Sequence, residues 1–207
     1  MPRTEVPVQQ IVQYLPEGSG DHILTYLEKY QVTLTITRKR KTILGNYSYK
    51  PRNGHHITIN GTLNPYAFLI TLLHELAHLV AFESYGTRIA PHGQEWKSCF
   101  STLLDRFILT KTFPSDIEDS LLASINSPAA SACGDPLLMR VLRRYDKHSM
   151  NQTVVEDIPE GAVFVIADGR RFVRGKKNRT RYHCTEVSSG RAYLFHGLYE
   201  IISESSR

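Results

Sequence analysis

The chain has 207 residues, 41% of them hydrophobic and 22% charged, with a formal net charge of +5. Those values exclude a disordered or fibrous chain and leave room for one substantial domain, or one domain and a small appendage. Three cysteines set far apart exclude a disulfide framework and fit a reducing compartment, while the positive balance keeps nucleic acid, membrane surface and acidic protein open as partners.

The opening residues, Met1-Pro2-Arg3-Thr4-Glu5, lack the basic-then-apolar profile of a signal peptide. No run reaches the roughly 18 uninterrupted apolar residues of a membrane span, so a cytoplasmic setting without membrane contact is expected. Residues 6–30 read as helix in two pieces, broken at Pro16-Glu17-Gly18-Ser19-Gly20. In the second piece Ile23, Leu24, Leu27 and Tyr30 share a stripe, and Asp21 is a cap candidate. Residues 32–37 alternate between apolar and hydroxyl side chains, the pattern of a half-buried strand. A basic turn, Arg38-Lys39-Arg40-Lys41, precedes a second strand at 43–49 and, after Pro51-Arg52-Asn53-Gly54, a third at 55–60. His55 and His56 read as an ordinary strand-start pair in preference to an auxiliary ligand or transition-state donor.

Asn64-Pro65 then opens a helix, since asparagine caps and proline fits the first turn, and Tyr85-Gly86 closes it. Between them, 67–82 is almost entirely apolar and carries His74-Glu75-Leu76-Ala77-His78. Two histidines four apart lie one above the other on a helix, where their imidazoles can share one ion, and the glutamate stands at the edge of that face. A catalytic zinc site needs three protein ligands and a position for water, so a third must come from outside the helix. Thirteen residues on, His92 precedes Gly93-Gln94-Glu95-Trp96-Lys97 at the start of a second helix, with Trp96, Phe100, Leu103, Leu104 and Phe107 at helical spacing. His92 is preferred over the acidic residues further along, Asp105 and Glu118. Cys99, seven residues after His92, reads as a small buried side chain and not as a ligand.

His74-Glu75-Leu76-Ala77-His78 followed by His92-Gly93-Gln94-Glu95-Trp96-Lys97 resembles the SprT-like metalloprotease family, whose eukaryotic relatives include Spartan. By layout the likeness covers roughly residues 20–110. It implies an α+β architecture: a zincin-like domain over 1–150, with a small antiparallel sheet packed on helices that include the motif helix. It also implies Zn²⁺-dependent peptide hydrolysis of proteins bound or crosslinked to DNA. In that reading His74, His78 and His92 hold the ion, and Glu75 takes the proton from attacking water and passes it to the leaving amine. Tyr47, Tyr49, Tyr85 and His56 stay unranked as oxyanion donors. A sheet edge beside the helix is a candidate to hold substrate as an added strand.

Residues 111–150 read as helical and connective. Ser115-Asp116-Ile117-Glu118 offers a cap for a helix ending near Ile125-Asn126, 127–136 is a turn-rich loop, and a helix resumes from Leu137 to Tyr145. Residues 151–207 read as a module of strands: 161–167, a hairpin at Asp168-Gly169, then 171–184 and 192–202 joined at Ser188-Ser189-Gly190. SprT-like relatives often carry a zinc ribbon here. This module holds one cysteine, Cys184, so a ribbon-like fold held by apolar packing is expected, and His183 and His196 beside Cys184 are not taken as a site. Residues 170–191 carry eight cations against the single anion Glu186. Arg170, Arg171, Arg174, Lys176, Lys177, Arg179 and Arg181, interleaved with Phe172, Tyr182 and Tyr193, form a candidate surface for DNA. Two alternatives stay open: a nucleic-acid-binding or regulatory protein with a vestigial zinc site, and a peptidase for free polypeptides whose hairpin docks acidic proteins.

Overall fold

The computed structural model describes residues 8–38, 40, 43–125, 135–146 and 153–205. Lys39 and Lys41 of the expected basic turn, the turn-rich residues 127–134 with Cys133, and the expected boundary at Met150 lie outside the described residues. The chain divides into two compact units, Met1–Asp146 and Lys147–Arg207.

The first unit opens with a 3-10 helix, Val8–Tyr14, followed by α1, Gly20–Lys29. Ser19, not Asp21, stands at the N-cap of α1. The Ser19 hydroxyl donates instead to the Pro16 carbonyl at 2.7 Å, and Asp21 lies in the first turn, where its charge suits the helix dipole. Three strands follow: β1 (Thr33–Thr37), β2 (Gly45–Lys50) and β3 (Gly54–Asn60), in the order β1-β3-β2. The expectation of an antiparallel sheet is corrected here: β2 and β3 form an antiparallel hairpin, but β1 lies on the far side of β3 and runs parallel to it. Two parallel strands need a crossover of a dozen or more residues, and β2 with its flanking turns supplies that length between β1 and β3. Arg40 ties the crossing segment down, bonding Asn60 Oδ1, Thr58 Oγ1 and the Leu44 carbonyl. Register places Gly45, Tyr47, Leu34, Ile36, Ile57 and Ile59 on one face. That face packs against α2, Pro65–Tyr85.

α2 forms as its sequence dictates. Asn64 Oδ1 accepts from Ala67 N at 2.9 Å, Pro65 occupies the first turn, and Gly86 ends the helix with φ at 76°. It is apolar nearly all round, the character of a core helix, and its residues from Ala67 to Ala77 are buried. By length and composition alone it would pass as a membrane span, although no uninterrupted apolar run in the sequence is that long. α3, Gln94–Leu109, packs on α2 through Trp96, Phe100, Leu103, Leu104 and Phe107. α4, Ser115–Ser124, has Pro114 at its N-cap and no side-chain cap, so the expected Ser115 cap is replaced by an extended proline. α5, Pro136–Arg143, is capped by Asp135, and the Asn64 amide donates to Leu142 O at 2.9 Å, joining the start of α2 to the end of α5.

The second unit is a five-stranded antiparallel sheet: β4 (Val163–Val165), β5 (Arg171–Asn178), β6 (Arg181–Glu186), β7 (Ala192–His196) and β8 (Ser203–Ser205), ordered β7-β6-β5-β4-β8. Phe164, Phe172, Tyr182, Cys184 and Phe195 form its core with Val155, Ile158, Ile166 and Ile201. The hairpin at Gly169, φ 84°, falls where expected. The expected single strand over 171–184 instead breaks at Arg179-Thr180, where Arg179 takes φ 56° and Asn178 pairs with Arg181. A turn made without glycine or asparagine at the left-handed position leaves no sequence signal. In place of a ribbon's two hairpin knuckles there is a four-strand meander with β8 returning beside β4. Cys184 is buried in this sheet, His196 Nδ1 accepts from Leu198 N, and His183 Nε2 meets Asn178, so the three do not gather as a metal site.

Candidate metal centre

His74 and His78 sit one turn apart on α2, and the third imidazole arrives from the loop before α3. His92 is in the left-handed region, φ 58°, a conformation uncommon outside glycine but open to histidine. Gly93 must follow it: a Cβ there would lie 2.9 Å from the Ala90 carbonyl oxygen. With the backbone turned this way, His92 Nε2 lies 3.0 Å from His78 Nε2 and 3.2 Å from His74 Nε2. Among the described residues these three form the one cluster of side chains able to hold a metal ion.

The rings are held by packing. Trp96, 1% exposed, lies 4.7 Å from the His74 and His92 rings and 5.3 Å from His78, and Phe100 closes on His74 at 5.5 Å. His74 Nδ1 is buried with no hydrogen-bond partner, so ring contacts orient it where a metal ligand more often donates to an acceptor behind it. Burial, reinforced by the neighbouring imidazoles, pulls His74 down to about 3 and His78 to about 4; burial also lowers His92. Three imidazoles kept neutral, with ring nitrogens facing one another, are a donor set for a cation. Without one, the three nitrogens can share at most a hydrogen bond or two.

Glu75 is 6% exposed, and burial pushes its carboxyl up to about 7 against two opposing influences, a hydrogen bond from Tyr47 N–H and the nearby Arg40 guanidinium. The strand reaches the helix only because residue 45 is glycine: a Cβ there would sit 2.6 Å from Glu75 Oε1 and 2.8 Å from Thr71 Cγ2. Tyr47 also lays its ring parallel to that of His78, 6.5 Å away. Its hydroxyl bonds His55 Nδ1 at 3.0 Å, and His55 Nε2 meets Glu83 Oε1 at 3.3 Å. His55 is thus built into the wall of the site and is not part of the histidine cluster. His56 faces the other way, its Nε2 bonded to Thr35 Oγ1. Glu118 is paired with Lys111 at 3.0 Å. Cys99 is half-buried at the edge of the core.

Of these neighbours, sequence reasoning missed Gly45, the backbone of Tyr47, Arg40 and the role of Trp96. Only Gly45 carried a signal: a glycine within a strand marks close approach of another group.

The basic residues divide. Arg170 pairs with Asp168 at 2.8 Å and approaches Glu186 at 3.7 Å. Arg174 stacks its guanidinium over Tyr182 at 4.3 Å, with Nε buried and unbonded. Arg171, Lys176, Lys177, Arg179 and Arg181 are exposed, the last four at the tip of the β5–β6 hairpin.

A histidine pair on a helix, a carboxylate directly after the first, and a third histidine closing the cluster make this a metallopeptidase-like centre that can hold a metal ion. The first unit carries the SprT-like family model over residues 12–114, and the chain belongs to that family through this segment. It is 31% identical over 108 residues to Protein SprT of Klebsiella pneumoniae (strain 342), covering 50% of this chain and 63% of that one. With Protein SprT of Pseudomonas fluorescens (strain SBW25) it shares 56% identity over 27 residues, 13% of this chain and 16% of the relative. The chain therefore spans less than two thirds of the relatives it matches. No solved structure matches it.

Proposed function

We propose that the chain is a zinc metalloendopeptidase that cuts proteins held on DNA in the cytoplasm. The observation that carries the first half is the convergence of three neutral imidazoles beside a buried carboxylate. A tetrahedral zinc ion bound at about 2.0–2.1 Å holds its ligand nitrogens about 3.3 Å apart. The observed 3.0 and 3.2 Å are within a few tenths of that spacing. When bound, zinc supplies a Lewis acid for the peptide carbonyl and acidifies water.

The chain's own groups do the rest. Glu75, poised near neutrality, accepts a proton from the attacking water and returns it to the leaving amine. Tyr47 N–H fixes the carboxylate while it does so. Trp96 and Phe100 keep the imidazoles apolar on one side and exclude water. β2 is an edge strand with β3 as its partner, and it lies along α2. An extended peptide can pair with its free side through backbone bonds that ignore side-chain identity. The exposed cations of the β5–β6 hairpin support the DNA half of the reading, since they are placed to neutralise phosphates.

Glu75→Gln is the direct test. It should retain one zinc per chain by metal analysis and lower proteolysis of a DNA-bound protein by about 10²–10⁴-fold. A variant that cleaves like the parent would refute the assigned base.

A further inference from the structure

The side of the site towards the end of α2 has a feature that backbone capture does not require. Positions 74, 78 and 82 climb α2 in steps of about 6 Å. Positions 45, 47 and 49, which face α2, advance along β2 in steps of about 6.7 Å. The two ladders keep in step: Gly45 abuts Glu75, the Tyr47 ring parallels His78 at 6.5 Å, and Tyr49 lies 4.7 Å from Phe82. The last rung is aromatic on both sides, and Tyr47 adds a third ring 6.4 Å from Phe82. Tyr49 is nonetheless 44% exposed, although rings pack on it from two directions.

Resting on the peptidase reading above, we propose that Tyr49 and Phe82, backed by Tyr47, form a subsite for one large apolar or aromatic substrate side chain about two residues from the cleaved bond. Two residues of extended peptide span the same distance of about 6.7 Å. A chain paired with β2, its cleaved bond level with Tyr47 and His78, therefore sets the side chain two residues further on, opposite Tyr49, over these rings. The platform is rigid before any substrate arrives. His55 fills the space behind it, bonded to the Tyr47 hydroxyl and to Glu83, with Tyr30 edge-on at 6.5 Å. A pre-ordered aromatic surface gains contact with little further loss of side-chain freedom. Glu83 at the rim does not turn the preference towards cations, because its Oε1 is directed at His55 Nε2.

The test separates the subsite from the chemistry. Fluorescent decapeptides of alanine and serine, each with a single Phe, Lys or Asp scanned through the sequence, are bound to the zinc-loaded full chain carrying Glu75→Gln. At one register Phe should bind about tenfold more tightly than Ala, with Lys and Asp no better than Ala. Adding Tyr49→Ala should collapse the Phe-to-Ala ratio towards one, and Tyr49→Phe should restore it. Equal affinity for Phe and Ala at every register, a preference for Lys, or a ratio that survives Tyr49→Ala would overturn the subsite. A parent that binds with the Phe preference but cleaves nothing would overturn the peptidase reading instead, leaving the subsite standing as a binding site.

Discussion

The histidine cluster and the β5–β6 hairpin both gather like-charged or like-titrating side chains, yet they do so under opposite constraints. In the first, every functional group is buried or half-buried and over-determined: His92 by a left-handed backbone and Gly93, His74 by Trp96 and Phe100, Glu75 by Gly45 and Tyr47 N–H. In the second, the tip cations are in solvent, and the two arginines that are held, Arg170 and Arg174, are held by partners of their own. A buried site is specified by volume, so single atoms matter. An exposed basic hairpin is specified by charge, so only sums matter.

The largest effect should come from one methyl group. In Gly45→Ala the new Cβ overlaps Glu75 Oε1 and Thr71 Cγ2, so either β2 withdraws or the carboxylate turns. Overpacking of this kind costs about 1–3 kcal/mol. Misplacing a catalytic group by about 1 Å costs on the order of 10²-fold in rate. Activity should therefore fall at least that far with zinc content preserved. Normal kcat in this variant would show that the close approach does not position the base. Trp96→Ala should follow, lowering stability by about 3–5 kcal/mol in denaturant unfolding and weakening zinc binding by about 10–100-fold. Loss of stability with unchanged zinc affinity would reduce Trp96 to a core residue.

These two residues also mark how far the sequence could be read. The motif helix was legible because asparagine, proline and glycine punctuate it and the ligand spacing matches the helical period. His92 was legible as the third member of the histidine cluster. Its left-handed backbone was not, since that follows from the loop's closure and not from any residue type. Nor was the parallel pairing of β1 with β3. Alternation fixes which face a strand buries but carries nothing about which neighbour it pairs with, and the hairpin of β2 and β3 hid the crossover. Trp96 was legible as an apolar helix position; its place beneath three imidazoles required the loop geometry. In the second unit the break at Arg179, which divides β5 from β6, was invisible, and so was β8, which lies beyond the expected strand over 192–202.

Titration distinguishes the buried centre by sign. In metal-stripped protein, His74 and His78 hold folded values of about 3 and 4, below their ordinary 6.5. The unfolded chain therefore takes up protons that the folded chain refuses, and stability falls as pH drops from 6.5 towards 4. Glu75 works the other way: raised from 4.5 to about 7, it favours the folded state at low pH, and that contribution is lost as pH rises through 7. The two histidines together outweigh the one carboxyl, so a shallow net loss towards acid is expected in chemical unfolding from pH 7 to 4. Glu75→Gln removes the opposing contribution and should steepen that loss. An unchanged slope would mean that Glu75 takes up its proton at the same pH folded and unfolded, without the upward shift that burial imposes.

The smallest single effects belong to the hairpin, and they sort six of the seven arginines and lysines of the expected surface into two kinds. Lys176, Lys177, Arg179 and Arg181, replaced together by alanine, should weaken DNA binding and reduce its dependence on salt by a log–log slope of about 3–4, roughly 0.9 for each phosphate no longer neutralised. Each alone should remove only about one unit of slope, with the fold intact. Arg174→Ala should behave differently: it strips the guanidinium from the Tyr182 ring, lowering the stability of the second unit while leaving the salt slope nearly as it was. Arg170→Ala should likewise spare the slope, because that charge already faces Asp168 and Glu186. If all six positions changed the slope equally, the hairpin would be a uniform charged surface, and the division drawn from the ion pairs and the stacked ring would fail.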